Sequence, residues 1–135
     1  MSGFHTAIEK DCLHFLLRGT QPIVICPARG VERMRVRPEW KGPLAAGRLL
    51  VVSRIPAHER RVTAALAEER NRFVAEICSA AVVVHAGAGS RTEGWCREML
   101  GLGKPLWTLD APENAHLAAM GTRAFTVDAL PAFFA

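Results

Sequence analysis

The sequence predicts an α/β fold: a three-layer sandwich built on a mostly parallel sheet. Four short apolar runs, Pro22 to Cys26, Leu49 to Val52, Ala81 to Val84 and Leu106 to Leu109, show little alternation, as strands buried on both faces do. Between them lie segments with apolar residues at helical spacing. Strand and helix therefore alternate, and right-handed crossovers lay the strands side by side.

The first helix spans Ile8 to Leu17, with apolar residues at 8, 12, 13, 16 and 17 and Glu9, Lys10 and Asp11 on the other side. Val62 to Ile77 places Val62, Leu66, Phe73, Val74 and Ile77 at helical spacing. Thr92 to Leu102 brings Trp95, Met99 and Leu102 onto one stripe and stops before Gly103, a residue suited to ending a helix. Glu113 to Met120 is a shorter helix before Gly121. Ala28 to Gly47 is the least regular stretch, broken by Gly30, Pro38, Gly42 and Pro43. The chain opens with Ser2-Gly3-Phe4 and enters a helix without a preceding strand, so it reads as an N-terminally shortened α/β domain.

The length of 135 residues suits one domain, 1–135, with a core of its own. No apolar run approaches the roughly 20 residues that cross a bilayer, and the N-terminus lacks the pattern of a signal peptide, so a cytoplasmic address and no membrane partner are expected. Cys12, Cys26, Cys78 and Cys96 are widely spaced and form neither a CxxC pair nor a zinc pattern, so four reduced, mostly buried thiols and no metal are expected. No cofactor is expected either. Charge is uneven: Arg29 to Arg61 carries nine Lys/Arg against three Glu, within a chain of net charge +4. A basic segment suits a polyanion, and equally a solvated arginine-rich surface. Arg29 and its neighbours follow the strand ending at Cys26, on the carboxyl edge where open α/β sheets bind ligands.

The turn His85-Ala86-Gly87-Ala88-Gly89-Ser90 follows a run of valines and opens a helix. Free backbone N–H groups and the helix dipole converge at such a place, which is how a phosphate is held. Gly87 and Gly89 permit positive φ or close approach, and Ser90 caps the helix or contacts a phosphate oxygen. The same residues also make a plain loop with an N-cap. Thr92 and Glu93 stand in the first turn, where Glu93 is either the capping-box partner of Ser90 or faces a ligand as a general base or a ribose hydroxyl acceptor. Arg70 and Arg72 flank Asn71 in the preceding helix about 200° apart, so one reaches a ligand while the other pairs with Glu68, Glu69 or Glu76. An arginine fork suits phosphate. His85 stands at the ligand edge or is a half-buried histidine. Trp40, Trp95 and Trp107 read as packing residues, with Trp40 the one to test for base stacking because it lies in the basic segment. No Ser/His/Asp order, HExxH or paired carboxylates support hydrolytic or metal chemistry.

Together these residues resemble the DNA-processing protein A family (DprA, also called Smf), in the wider group of Rossmann-like domains that includes the LONELY GUY phosphoribohydrolases. GRLLVVSRIP at Gly47 to Pro56 is similar to the family's GxLLSExP. RNRFVAEICSAAVVVHAGAGSRT is similar to RNRxIAxLSxxVxVVEAxxxSGSxxT, and GKPLWTLD and Asn114 to Gly121 to GRxVxAVPG and NxLIxxGA. SGFHTAIEKD is similar to SGxAxGID, which leaves the family's first strand, helix and GSR-type turn without counterparts. The resemblance implies a Rossmann-like fold that binds single-stranded DNA or a nucleotide, with Arg70, Asn71, Arg72, Ser90 and Thr92 at matching positions. Family members protect single-stranded DNA and load a recombinase on it in natural transformation, so a recombinase is the implied protein partner. Self-association stays open. The LONELY GUY signature PGGxGTxxE is the second resemblance: GAGSRTE supplies Gly87, Gly89, Ser90 for Thr, and Glu93, with Ala86 for a glycine and His85 for the proline. It implies a phosphoribohydrolase in which Glu93 and Arg70 act on the N-glycosidic bond of a nucleoside monophosphate. A third reading is a non-catalytic nucleotide sensor.

Overall fold

The computed structural model describes residues 1–126. Helices and strands alternate along the chain, and every strand pair is parallel. The chain divides into two compact units, Met1–Glu76 and the part from Ile77 onward.

In the first unit, helix α1 (Ala7–Arg18) starts at a capping box: the Thr6 hydroxyl accepts from the Glu9 N–H at 3.2 Å while the Glu9 carboxylate accepts from the Thr6 N–H at 2.9 Å. Its other end is closed from a distance. The Arg48 guanidinium donates to the carbonyls of Leu16, Leu17 and Gln21 at 3.1, 2.9 and 3.0 Å, satisfying groups the helix leaves open. Strand β1 (Ile23–Ile25) pairs with β2 (Leu49–Val51), Ile23 opposite Leu49. Helix α2 (Pro38–Ala45) makes the crossover between them, and α3 (Ala64–Ile77) follows β2. Phe4, Leu13, Ile23, Ile25, Trp40 and Leu49 form the core.

In the second unit, strands β3 (Ala81–Val83), β4 (Leu106–Leu109) and β5 (Arg123–Phe125) form a parallel sheet in that order. Helix α4 (Arg91–Gly101) joins β3 to β4; a 3-10 turn at Pro112–Asn114 and helix α5 (Ala115–Ala119) join β4 to β5. Val83, Ala86, Cys96, Leu106 and Leu117 pack together beneath. Two buried polar side chains tie the strand ends. Thr108 Oγ1 donates to the Val83 carbonyl at 2.8 Å, and Asn114 Nδ2 donates to the carbonyls of Val84 at 2.9 Å and Leu109 at 3.1 Å.

Three helices end alike. After α2, α4 and α5 the chain turns on Gly47, Gly103 and Gly121, all at positive φ (67°, 70° and 105°). In each case the glycine N–H and the next N–H reach back to the last carbonyls of the helix: Gly47 to Leu44 and Arg48 to Pro43, Gly103 to Leu100 and Lys104 to Met99, Gly121 to Ala118 and Thr122 to Leu117. This Schellman closure reverses the chain into the following strand.

Several expectations are corrected. Helix α2 occupies the middle of the stretch read as irregular: Pro38 stands in its first turn, where the missing N–H is harmless, and Gly42 and Pro43 are tolerated within the helix. Strand β5 had too little apolar signal in Arg123-Ala124-Phe125 to be read. Val62 lies outside α3 and is exposed. Ile8, Leu102 and Ile77 are exposed, so their apolar stripes are narrower than the periodicity implied. β2 is not buried on both faces, because Leu50 is 57% exposed. The four thiols are free, but only Cys26 and Cys96 are buried; Cys12 is exposed and Cys78 intermediate. Although no strand precedes α1, Ser2 bridges Ile25 in parallel, with Cys26 N–H donating to the Ser2 carbonyl at 2.8 Å. No helix among the described residues is long and apolar enough to cross a membrane.

Two glycines of one helix region separate conformational from packing effects. Around both Gly42 and Gly47 an added Cβ meets no atom within 4 Å, but only Gly47 has positive φ. Gly47→Ala is expected to destabilise the first unit by about 1 to 2 kcal/mol, the strain of a left-handed Cβ, and Gly42→Ala to stabilise it by roughly 0.5 to 1 kcal/mol through helix propensity. Urea unfolding of both variants checks this; a shared sign would contradict it.

Candidate functional site

At the carboxyl ends of β1 and β2 two irregular segments leave the sheet, and backbone contacts sew them together. Gly30 N–H donates to the Glu59 carbonyl at 2.8 Å, and Glu59 N–H donates to the Pro56 carbonyl at 3.0 Å. A Cβ on Gly30 would lie 2.6 Å from the Pro56 carbonyl oxygen and 2.8 Å from that of Ala57, so only glycine lets the segments approach this closely. Ser53 Oγ donates to the Pro27 carbonyl at 3.3 Å and accepts from the Ile55 N–H at 3.1 Å, fixing the base of the second segment. The first segment carries Arg29, Arg33 and Arg35, the second Arg60 and Arg61. Arg29 is half-buried and the other four are exposed. Arg33 holds a left-handed backbone at φ 59°.

Other cations of the basic stretch have structural employment. Arg48 closes α1. Arg54 donates to Glu76 at 2.6 Å, lies 3.8 Å from Glu69 and covers the Phe73 ring at 5.5 Å. Two of the α3 glutamates expected to pair with Arg70 or Arg72, Glu69 and Glu76, are thus engaged by Arg54 from the β2 end. Trp40 is 8% exposed and belongs to the core, with Arg37 over its ring at 5.3 Å, so it is not a free stacking platform.

Arg70 and Arg72 diverge as the helix geometry requires. Arg72 is exposed, whereas Arg70 is 9% exposed and lines a narrow recess with Cys26, Ser53 and Phe73. Its guanidinium lies against Gly3, where any Cβ would overlap it, and Nη1 donates to the Cys26 carbonyl at 3.4 Å. Its Nε is buried and has no hydrogen-bond partner among the described residues. Burial lowers its pKa, with Glu9 and Cys26 acting in the opposite sense. Burial also raises the Glu9 carboxyl, but hydrogen bonds from Ser2, Thr6 and His5 outweigh it and hold the group below its ordinary 4.5. Asn71 is half-buried.

The glycine turn lies in the second unit. Gly89 adopts positive φ of 72°; Gly87 does not. His85, Gly87, Gly89 and Thr92 are exposed. Ser90 caps α4, its hydroxyl accepting from the Glu93 N–H at 3.2 Å. Glu93 does not return the bond to Ser90 as a capping box would. Its carboxylate accepts from the Gly89 N–H and pairs with Arg97 one turn on, and the residue is 6% exposed. The Arg97 hydrogen bond first, and the Gly89 N–H second, lower the carboxyl below 4.5. One of the N–H groups a phosphate would use is therefore taken by the chain's own carboxylate. Burial, helped by Glu93, raises the Cys96 thiol to about 11, which makes it a packing residue rather than a nucleophile. Among the described residues no group of three His, Cys, Asp or Glu is placed to hold a metal ion.

The expected site residues thus fall into two sets, each placed within its own unit: Arg29, Arg70, Asn71 and Arg72 in the first, Gly87, Gly89, Ser90, Thr92 and Glu93 in the second. Sequence reasoning missed Gly30 and Gly3, whose partners lie 26 or more residues away, and for them no local signal exists. Arg97 was findable, four residues after Glu93 in a helix.

No protein-family model matches the chain, and no curated protein does. Among solved structures it is similar to the X-ray structure of DNA processing protein A (DprA) from Streptococcus pneumoniae, with TM-score 0.74 and 19% identity, over 96% of this chain and 49% of that one. The likeness shows a DprA-like, Rossmann-like fold, and the chain spans about half the length of that protein.

Because the folded pKa values of Glu9 and Glu93 are depressed, their contribution to stability is present above 4.5 and is lost as pH falls below it through the folded values. Hydrogen exchange at the Gly89 amide is expected to lose protection in acid, in that window. Glu93→Gln should remove this pH dependence at Gly89 while leaving that of the Thr6 amide, which Glu9 holds.

Proposed function

We propose that this chain is a DprA-like DNA-processing protein that binds single-stranded DNA or a nucleotide phosphate without catalysis. The observation that carries the reading is the pair of basic segments sewn together by Gly30 at the carboxyl edge of β1 and β2, in a fold shared with DNA processing protein A. Exposed arginines on two joined loops bring positive charge to this edge of the sheet, on a backbone that is held before a ligand arrives. Phosphodiesters suit it, because guanidinium forks bind oxygen pairs and need no base identity. Arg70 contributes from the neighbouring recess, and in the second unit the Ser90 turn, taken by itself, offers its remaining N–H groups to a phosphate. A recombinase partner belongs to the same reading.

The phosphoribohydrolase reading has less behind it. A general base works best with a pKa near the working pH, while Glu93 is held in the opposite direction by Arg97 and Gly89. Its carboxylate is already engaged.

Fluorescence anisotropy of a labelled single-stranded oligonucleotide across a salt series tests the proposal. Log affinity is expected to fall linearly with log salt, with a slope of about −0.7 for each phosphate contacted. Arg60→Ala and Arg61→Ala should each reduce that slope by up to about 0.7 without changing thermal stability. Absence of binding at low salt, or a slope indifferent to these arginines, would refute it. Release of free base from AMP that disappears in Glu93→Gln would instead establish the enzyme.

A further inference from the structure

The segment that leads into α1 runs as a strap across Arg70. Ser2 adds to the edge of β1 away from β2 through two backbone bonds: its N–H donates to the Val24 carbonyl at 3.2 Å, and its carbonyl accepts from the Cys26 N–H at 2.8 Å. Gly3 then lies on the Arg70 guanidinium so closely that any Cβ would overlap it. Phe4 turns the chain into the core at φ 50°, a left-handed backbone that an aromatic residue holds only under strain. One carboxylate gathers the rest: Glu9 accepts from the Ser2 hydroxyl, from the His5 N–H at 3.0 Å and from the Thr6 N–H at 2.9 Å. Closure of the strap thus rests on two backbone bonds and one latch, and works against a strained residue.

The group beneath is poorly served by the closed arrangement. A guanidinium carries five N–H donors. Among the described residues this one makes a single hydrogen bond, from Nη1 to the Cys26 carbonyl at 3.4 Å, while its Nε is buried without an acceptor. The carboxylate whose charge acts on it is Glu9, and the strap already occupies that carboxylate. A cation kept from water with most of its donors unused is a costly arrangement unless a partner arrives for it. Its one acceptor, Cys26, stands three residues before Arg29, so the covered guanidinium lies at the same carboxyl end of β1 as the basic seam.

We propose that the strap is an autoinhibitory contact: seated, Ser2 and Gly3 shut Arg70 away, and lifted about Phe4 as a pivot they release its guanidinium to a phosphate of single-stranded DNA beside Arg29. This regulation rests on the DNA reading above. A ligand that engages only the open form binds with an apparent affinity lowered by the fraction that is open, and itself shifts the chain toward that form.

Two measurements on the full chain test it. Gly3→Ala cannot hold the closed arrangement, and is expected to bind a labelled single-stranded oligonucleotide about threefold or more tighter than the unaltered chain, a gain that Arg70→Ala in the same background removes. Ser2→Ala takes away the hydroxyl on the latch but leaves the α1 cap, should act in the same direction, and decides the matter where Gly3→Ala does not fold. Hydrogen exchange then follows the strap directly. The Cys26 amide, held by the Ser2 carbonyl, should exchange several-fold faster when the oligonucleotide is added, whereas the Ile23 amide, held by the Arg48 carbonyl, keeps its protection. Affinity unchanged or lowered in the variants, or a Cys26 amide that the oligonucleotide protects, overturns the inference and leaves the DNA reading standing. Absence of binding by the unaltered chain and every variant removes both together.

Discussion

Parallel strands cannot be joined by a tight turn, and the connections of this structure follow from that. Each return across a sheet needs a helix, and each helix must release the chain in the opposite direction within two or three residues. Gly47, Gly103 and Gly121 do this by adopting a backbone that other residues enter only under strain, and the strands β2, β4 and β5 begin two or three residues later. The strands themselves have only three or four residues. So short a ladder contributes few hydrogen bonds, and its register depends on how accurately the helix delivers the chain.

Short strands also place the chemistry at their ends. Polar side chains that would be unwelcome in the middle of the sheet gather where the strands stop, and each is held by a partner distant in sequence. Arg70 reaches the carbonyl after β1, Thr108 and Asn114 bind the carbonyls after β3 and β4, and Arg48 closes α1 from the start of β2. These bonds fix where the loops leave the sheet. Two buried atoms, Nε of Arg70 and Oδ1 of Asn114, have no hydrogen-bond partner among the described residues.

Glu93 illustrates how one residue type in one pattern serves opposite ends. The spacing Ser90 to Glu93 suggested a capping box or a base, and the three-dimensional arrangement selects neither in pure form. The carboxylate passes the cap to reach Gly89 and is steadied by Arg97, so the turn is rigid and partly self-satisfied. A ligand approaching this turn meets an exposed loop with fewer free donors than its glycines advertise. By contrast, the Gly30 seam leaves its arginines facing outward, with the backbone already in place.

What was legible in the sequence is what depends on near neighbours. The strands at Ile23, Leu49, Ala81 and Leu106, the helices α1, α3, α4 and α5, the cap at Ser90, the stop at Gly103 and the divergence of Arg70 from Arg72 all follow from residues within about one turn of each other, where geometry is set by the local backbone. The resemblance to the DprA family, carried by the order of several segments, agreed with the fold. Helix α2 escaped because Pro38 and Gly42 act as breakers or as tolerated helix residues according to the core that Trp40 joins, and β5 because its pairing with β4 supplies what its composition lacks. Only the tertiary structure decided that Gly30 sews two loops, that Gly3 makes room for a guanidinium, that Arg54 takes Glu69 and Glu76 of α3, and that Asn114 reaches the Val84 carbonyl. Those are contacts between residues far apart in the chain, and no local periodicity can encode which distant backbone will arrive within hydrogen-bonding distance.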